Sequence, residues 1–211
     1  MSGILIVLNG APRSGKTSIA REIQATFPGV WLNLGVDAWC SGVQPASIMP
    51  GIGLRPGEQN HAIEDHLPGL YLALYQSAVA HCRLGFNVVM DLGHHDSYSE
   101  PLGILGACSA VAAEAISYLI GVTCPLETIL ERRRFSSHDG RSYAASEPGE
   151  APPTPVVLWQ DEAHRHKAYD LILDTAALSP QECAEQIMRM LEEGQEPRAF
   201  QELADQFWDG D

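Results

Sequence analysis

The sequence predicts an α/β fold in which a parallel sheet carries helices on both faces, and three observations support this prediction. Apolar runs of strand length alternate along the chain with longer segments of helical period. The apolar runs are nearly continuous, as is typical of strands buried on both sides. The 211 residues, 45% of them hydrophobic, are enough for one well-packed domain and few for two.

Five strands are predicted, each an apolar run bounded by turn or polar residues. The first is ILIVL at the start of the chain, and the third ends in a carboxylate. We place the second strand beside the first, because strands that follow each other in sequence usually lie side by side. The predicted strands are 4–8, 30–34, 86–91, 115–122 and 171–174.

The helices are predicted from apolar residues that recur every three to four positions. A break or bend is expected near Pro68, because proline cannot continue a helical hydrogen-bond ladder. The last helix has a favourable start, with Ser179 at the cap, Pro180 at the first helical position and Glu182 in the first turn. The predicted helices are 17–27, 61–84, 101–113, 125–134 and 158–168, and a final one from 179 onward.

Two segments rich in Gly and Pro, and an acidic tail, complete a single domain that we assign to residues 1–194. Residues 40–57 are expected to form a loop or insertion, and residues 135–155 a mobile segment. The tail, 195–211, is acidic, but its apolar residues recur at helical spacing, so it is expected to dock on the domain or on a second subunit of a homo-oligomer. These apolar residues are Phe200, Leu203, Phe207 and Trp208.

The charge and cysteine content narrow the class of protein. Thirteen Lys and Arg against 27 Asp and Glu give a net charge of −14, which disfavours nucleic acid and anionic membranes as partners. The five cysteines form no C-x-x-C pair, as expected for reduced thiols in a cytosolic protein. The chain lacks a leader-like start or a run long enough to cross a bilayer, so we expect a soluble cytoplasmic protein.

The stretch GAPRSGKT after the first strand matches the pattern G-x-x-x-x-G-K-[ST] and opens a helix, which is the context that a phosphate-binding loop (P-loop) requires. Its glycines let backbone N–H groups surround a phosphate, the lysine reaches the β- and γ-phosphates, and the threonine hydroxyl holds Mg²⁺. The pattern therefore predicts a site for a nucleoside triphosphate. The loop residues are Gly10, Ala11, Pro12, Arg13, Ser14, Gly15, Lys16 and Thr17.

Two aspartates follow strands whose ends should meet the same edge of the sheet as the loop. Asp91 ends the third strand and could hold Mg²⁺ directly or through water, or it could only form a turn. Asp37 follows the second strand and could accept a proton from a hydroxyl in line with the γ-phosphate. The alternative for Asp37 is a loop residue that caps the next turn.

Arginines cluster where a helix runs into the polar segment. Arg132, Arg133 and Arg134, with Arg141 soon after, could stabilise a phosphoryl group in transfer, so we predict an arginine-bearing lid over about 132–155. Favourable pairing with the helix C-terminus could account for one or two of these cations.

Histidines and aromatic residues are assigned to the acceptor pocket rather than to a metal. Adjacent histidines rarely bind one ion, and His164 and His166, two positions apart, would face opposite sides of a helix. The pocket is expected between the segment 38–69 and the loop 92–98. Its predicted residues are Asp37, Trp39, Met49, Tyr71, His94, His95 and Asp96.

Several stretches together resemble the chloramphenicol phosphotransferase-like family of P-loop kinases, over roughly residues 3–192. They are ILIVLNGAPRSGKTSIAREIQ, which places an Asn before the loop, then WLNLGVDAW, NVVMD and SYLIGVTCPLETILERR. The resemblance implies a five-stranded parallel sheet, the use of ATP with Mg²⁺, and phosphorylation of an antibiotic's hydroxyl.

By position, the resemblance makes Asp37 the general base and matches Arg132 and Arg141 to lid arginines. It also places the end of the last strand, Asp174 and Thr175, near the adenine. Arg134 is taken as a further nucleotide contact.

The resemblance and the motifs thus predict an ATP-dependent kinase for a small-molecule hydroxyl, with chloramphenicol or a related antibiotic as the favoured acceptor. A shikimate- or nucleoside-type kinase uses the same parts, but a shikimate site needs acceptor-binding arginines, and only Arg55 and Arg83 lie in that region. A nucleotide-binding switch is the third alternative. No N-K-x-D motif for guanine is present, and the lid arginines favour reaction without a partner's arginine.

Overall fold

In the computed structural model, residues 2–135 and 151–208 are described. A five-stranded parallel sheet in the order β2-β3-β1-β4-β5 forms its centre. The strands are β1 (Ile4–Asn9), β2 (Trp31–Asn33), β3 (Asn87–Leu92), β4 (Ile116–Thr123) and β5 (Leu171–Asp174). The α/β prediction is therefore confirmed.

The predicted helices are present in the described residues with shifted bounds, and α2 is a further helix that the sequence did not predict. They are α1 (Lys16–Thr26), α2 (Val36–Gly42), α3 (His61–Glu64), α4 (Leu67–Arg83), α5 (Ile104–Ala112), α6 (Leu126–Phe135), α7 (Thr154–Glu162), α8 (Pro180–Glu192) and α9 (Ala199–Trp208). Two short 3₁₀ turns, Ala46–Ile48 and Gly51–Gly53, lie in the segment after α2. None of the helices in these ranges is long and apolar enough to cross a membrane.

The first strand forms the middle of the sheet, between β3 and β4. Leu5 pairs with Val88 on one side and with Ser117 on the other. The prediction that the second strand lies beside the first is wrong, because β2 pairs only with β3. The physical reason is that β1 is buried from Leu5 to Asn9 and needs a long partner on each side, whereas the three-residue β2 can only extend the edge.

Two helical layers bury the two faces of the sheet. On one face α1 and α8 cover residues such as Ile6 and Leu8, and on the other face α4, α5 and α9 cover Leu5 and Val7. This alternation follows from the period of two along β1. Both layers leave the C-terminal edge of the strands free for loops, and this edge carries the P-loop.

The predicted helix 61–84 is divided into α3 and α4, with the break just before Pro68. Pro68 lies in the first turn of α4, where its missing N–H costs nothing. The Glu64 carboxylate, at the last position of α3, accepts hydrogen bonds from the backbone N–H of Asn60 at the start of this helix, at 2.9 Å, and from that of Ser99, at 3.1 Å. Glu64 therefore ties the predicted acceptor segment to the loop after β3.

The helix predicted over 158–168 instead begins at Thr154 and ends at Glu162. Its early start places Pro155 in the first turn, and its early end leaves 163–166 as turns and 167–168 without regular structure. The prediction that His164 and His166 face opposite sides of a helix is consequently wrong, because both rings pack against Tyr169, with centroids 5.6 and 4.6 Å away.

The remaining sequence predictions divide between the described and undescribed parts. Residues 136–150 of the predicted lid, including Arg141, lie outside the described residues. All five cysteines are unpaired; four are buried and Cys40 is half-buried. The acidic tail contains α9, which packs on α5 and β4 of its own chain.

Candidate active site

The P-loop wraps over the end of β1 along a tight backbone path that includes two residues with positive φ. Gly15 has a φ of 105° and precedes α1, and Arg13 has a φ of 71°. A Cβ at Gly10 would lie 2.3 Å from the carbonyl oxygen of Val122. The two glycines of the motif thus allow the tight path that turns N–H groups inward.

Lys16 lies at the first position of α1 and folds over the loop. Its ammonium donates hydrogen bonds to the carbonyls of Gly10 and Ala11, both at 2.8 Å. Desolvation within the site lowers the pKa of Lys16 to about 8, although the charges of Asp91 and Asp37 act in the opposite direction. Lys16 is therefore a cation next to two carboxylates at the sheet edge.

Thr17 and Asp91 form a pair of hard oxygen ligands. The Thr17 hydroxyl donates a 2.5 Å hydrogen bond to Asp91 Oδ2, and Asp91 pairs in register with Leu8 in the central strand. Burial raises the pKa of Asp91, while Thr17 and Lys16 lower it. A hydroxyl and a carboxylate at this distance fit Mg²⁺, which binds through a few protein oxygens and keeps water or phosphate ligands. In the described ranges, no group of three or more His, Cys, Asp or Glu side chains forms a metal cluster of its own.

Gly35 allows the second strand's loop to approach Asp91. A Cβ at position 35 would lie 1.5 Å from Asp91 Oδ1, so no side chain fits here. The chain then enters α2, whose first turn carries the exposed Asp37. The negative charge of Asp37 raises the pKa of both Lys16 and Asp91, so its carboxylate lies within electrostatic reach of both.

Arg132 joins the helix before the lid to the P-loop and to the last strand. Its guanidinium donates to the Arg13 carbonyl at 3.2 Å, and to the Thr175 hydroxyl at 3.0 Å and carbonyl at 2.7 Å. The Thr175 hydroxyl in turn donates to the Ser14 carbonyl at 2.6 Å. Three predicted site residues, Arg13, Arg132 and Thr175, therefore meet. Asp174 and Arg134 are exposed beside them.

The predicted acceptor residues separate into a surface group and a buried group. Trp39 is half-buried, and Met49 is 46% exposed. Tyr71 is buried and donates to the carbonyl of Ile52 at 3.0 Å, and the His94 ring lies 4.9 Å from the Tyr71 ring. Burial lowers the pKa of His94 to about 3, so its imidazole is neutral.

His95 and Asp96 shape the loop after β3. His95 Nε2 is hydrogen-bonded to the carbonyl of Leu54 at 2.9 Å, which links this loop to the acceptor segment. Asp96 accepts from the N–H groups of Leu102, at 2.8 Å, and of Gly103, at 3.2 Å, just before α5. That these side chains contact an acceptor stays a prediction.

The sequence profile of a family described as chloramphenicol phosphotransferase-like protein matches residues 3–192. The chain belongs to this family. The recognised resemblance is thus confirmed, and the protein is a P-loop kinase with a small-molecule substrate. No curated protein sequence matches this chain.

Solved structures of other kinases share the fold of this family member. The APS kinase of Mycobacterium tuberculosis, in complex with AMPPNP and APS, has a TM-score of 0.55 and 16% identity, with 90% of this chain and 98% of that one covered. Shikimate kinase from Acinetobacter baumannii has a TM-score of 0.55 and 12% identity, with 90% of this chain and 94% of that one covered. A gluconokinase from Sinorhizobium meliloti has a TM-score of 0.55 and 14% identity, with 99% of this chain and 97% of that one covered. At such identities the likeness concerns the fold alone.

Asn9 is a central site residue that sequence reasoning named only as part of the family resemblance. It is completely buried, and its side-chain amide donates to the Ala163 carbonyl at 2.7 Å and to the Tyr169 hydroxyl at 3.0 Å. Its Oδ1 accepts from the N–H of His94 at 2.8 Å. Asn9 therefore connects the P-loop to the loops after β3 and α7. An amide at the end of an apolar buried strand was the available signal.

Trp159 and Gln44 were not found from the sequence. Trp159 in α7 donates from its indole to the carbonyl of Gly93 at 3.1 Å, which fixes α7 to the loop after β3. Gln44 Oε1 accepts from the N–H of Ile52 at 3.0 Å and organises the segment that carries Met49. Neither residue stands in a pattern that sequence alone distinguishes.

Proposed function

We propose that this enzyme is a phosphotransferase that uses ATP with Mg²⁺ and moves the γ-phosphoryl group to a hydroxyl of an uncharged, partly aromatic molecule, with chloramphenicol or a related antibiotic as the acceptor. The observation that carries the proposal is the convergence of Lys16, Thr17, Asp91 and Asp37 at one edge of the sheet.

In this proposal the P-loop amides and Lys16 hold the triphosphate, and Thr17 with Asp91 would hold the Mg²⁺ ion. When bound, the metal supplies positive charge that offsets charge developing on the phosphate oxygens. Arg132 reaches the P-loop through Arg13 and Thr175, and is thereby placed to add a second cation. The lid residue Arg141 is proposed for the same role by resemblance only.

Asp37 is proposed as the general base. It takes the proton of the acceptor hydroxyl as that oxygen bonds to the γ-phosphorus. The bond between this phosphorus and the β–γ bridging oxygen breaks, and ADP leaves with the electron pair. The exposed position of Asp37 at the start of α2 lets a dissolved acceptor approach it, and the negative charge of Asp37 raises the pKa of Lys16. Asp174 and Thr175 are proposed to lie near the adenine, with Arg134 as a further contact.

The charge of the acceptor region supports an uncharged acceptor. Arg55, the arginine of the segment 38–69, forms an ion pair with Glu58 at 3.4 Å. The two histidines of the 92–98 loop have pKa values lowered by burial, so they add no positive charge near neutral pH. A carboxylate-bearing acceptor of the shikimate type would need a cation here.

The proposal is tested by ATP consumption with a panel of hydroxyl-bearing antibiotics and metabolites, chloramphenicol included, and by mass spectrometry of the phosphate ester. Replacing Asp37 by Asn should lower kcat at least about 100-fold while calorimetry shows unchanged MgATP binding. Asp161→Asn, at an exposed carboxylate of α7, is the matched control and should keep full activity.

Two results would contradict parts of the proposal. Slow ATP hydrolysis that no acceptor stimulates would favour a nucleotide-binding switch. Full activity of Asp37→Asn on the best acceptor would remove Asp37 as the base and leave the kinase assignment in place.

A further inference from the structure

The C-terminal helix α9 lies beyond the residues that the family profile matches, yet it is firmly attached to the domain. Asp170 Oδ1 accepts hydrogen bonds from the backbone N–H groups of Arg198, at 2.7 Å, and Ala199, at 3.1 Å, which begin the helix. Asp170 Oδ2 accepts from the N–H of Leu119 in β4 at 2.8 Å. One carboxylate thus caps α9 and ties it to the sheet.

The first turn of α9 is linked to the loop after β3 through the buried side chain of Phe200 and its neighbour Tyr75. Phe200 packs edge-on against Tyr75 of α4, with ring centroids 6.2 Å apart. The Tyr75 hydroxyl is hydrogen-bonded to His94 Nε2 at 2.9 Å, and the N–H of His94 donates to Asn9 beside the P-loop. All of these side chains are at most 3% exposed. Because buried side chains are closely packed, a movement of Phe200 would displace Tyr75 and, through it, His94.

The far end of α9 contacts the same loop at its other end. Phe207 lies against Gly106 of α5 and against Gly103 just before this helix, and a Cβ at Gly106 would lie 2.5 Å from its Cδ2. At Gly103 the corresponding distance to Cε2 is 2.9 Å, and Gly103 has a φ of 61°. The N–H of Gly103 donates to Asp96, so Phe207 fixes the residue on which the Asp96 turn closes.

We propose that α9 is a positioning element for acceptor binding: through Phe200 and Phe207 it holds the loop from His94 to Gly103 in its binding conformation. This inference rests on the proposed function. Phe200 acts on the first residue of the loop through Tyr75, and Phe207 contacts its last residue, so a loop of ten residues is held at both ends without a contact to the ligand. Phe200 and Phe207 are positioning residues, since neither reaches the reacting atoms.

The test compares hydrogen–deuterium exchange in the wild-type chain and in Phe207→Ala, with Phe207→Leu as the conservative variant. Gln201→Ala is the matched control, because Gln201 is on the exposed face of α9. Amides of residues 94–103 should exchange about tenfold faster in Phe207→Ala, residues 10–19 should be unchanged, and Phe207→Leu should restore most of the protection. Phe200→Leu, a smaller apolar replacement in the core, should act on the same loop.

Steady-state kinetics give the second measurement, with chloramphenicol as the acceptor probe. Phe207→Ala should raise the KM for chloramphenicol about fivefold or more and leave the KM for ATP unchanged. Faster exchange confined to α5 and α9, or spread evenly over the chain, would overturn the role of α9. If no form of the enzyme phosphorylates chloramphenicol, the acceptor assignment fails, while the exchange of 94–103 still decides whether α9 positions the loop.

Discussion

At the scale of single residues, the charged groups of the site depend on a close approach of backbone and side chains around them. Gly35 has no room for a side chain beside Asp91, and Asn9 uses both ends of its amide within the core. Buried polar groups of this kind are costly unless their hydrogen bonds are complete. The most sensitive positions of the site are thus small or uncharged residues.

Replacing Gly35 by Ala should abolish Mg²⁺-dependent turnover, because the new Cβ would lie 1.5 Å from Asp91 Oδ1 and displace that carboxylate. We also expect the free energy of unfolding to fall by about 1–3 kcal/mol, as for overpacked sites. Gly42→Ala is the matched control, since a Cβ there meets nothing within 4 Å. Turnover and urea unfolding measure both effects, and a fully active Gly35→Ala would contradict this account of the site.

Because of Lys16, the affinity for MgATP should depend on pH in the alkaline range. Its pKa is lowered to about 8 in the free protein, and a bound triphosphate would hold its proton more tightly. The affinity for MgATP should therefore be constant below pH 7 and fall up to about tenfold per pH unit above 8. Lys16→Arg, which stays charged, should remove this dependence in calorimetric titrations.

Lys167→Arg changes the only other lysine of the chain, an exposed one, and serves as the control for this measurement. An affinity for MgATP that stays constant up to pH 10 in the wild type would show that Lys16 does not carry the effect.

At the scale of elements, turn and cap chemistry decides where each helix begins. In α8 the Ser179 hydroxyl accepts from the N–H of Glu182 at 3.2 Å, and the Glu182 carboxylate accepts from the N–H of Ser179 at 2.8 Å. This is a complete capping box, and it lies at the helix start that the sequence predicted at Ser179. The strongly amphipathic α8 then packs on α1, the helix that carries Lys16 and Thr17.

Replacing Ser179 by Ala should lower the free energy of unfolding by about 1 kcal/mol, because the N–H of Glu182 at the helix start loses its side-chain acceptor. The polar partner of the Ser179 side chain is Glu182, which is not a residue of the proposed site, so kcat should stay at the wild-type value. Gln181→Ala, in the same exposed turn, should change stability by less than about 0.5 kcal/mol in chemical denaturation. Equal losses in the two variants would argue against the capping box.

At the scale of the whole molecule, buried neutral histidines link folding to pH. Burial lowers the pKa of His94 to about 3 and that of His166 to about 4, and each is below the usual histidine value of about 6.5. At pH values between the lowered pKa values and 6.5, these histidines are protonated in the unfolded chain but stay neutral in the folded protein. Stability should therefore be full above pH 6.5 and fall as the pH decreases toward 4.

For His94 alone the loss at pH 5 should be about 2 kcal/mol in the free energy of unfolding. His94→Gln, which keeps a hydrogen-bonding side chain without titrating, should reduce the slope between pH 6.5 and 4.5 in a series of urea titrations. His66→Gln, at a solvent-exposed histidine, is the control and should keep the wild-type slope. An unchanged slope in His94→Gln would mean that this ring is not the buried group responsible.

The amino-acid sequence by itself determined the features that depend on neighbours along the chain. Continuous apolar runs marked the strands, the eight-residue motif marked the P-loop with Lys16 and Thr17, and Ser179 marked a helix start. These signals are local because backbone geometry and capping involve residues only a few positions apart. Family membership could be recognised for the same reason.

Only the tertiary structure decided which of these elements meet. It placed β1 between β3 and β4 rather than next to β2, brought Arg132 to Thr175, and gave Asn9 partners more than 80 residues away. It also packed the acidic tail on its own domain, although its spacing fitted a second subunit equally well. Such pairings are chosen by which apolar surfaces and hydrogen-bonding groups can all be satisfied together, a condition on the whole chain that no local pattern contains.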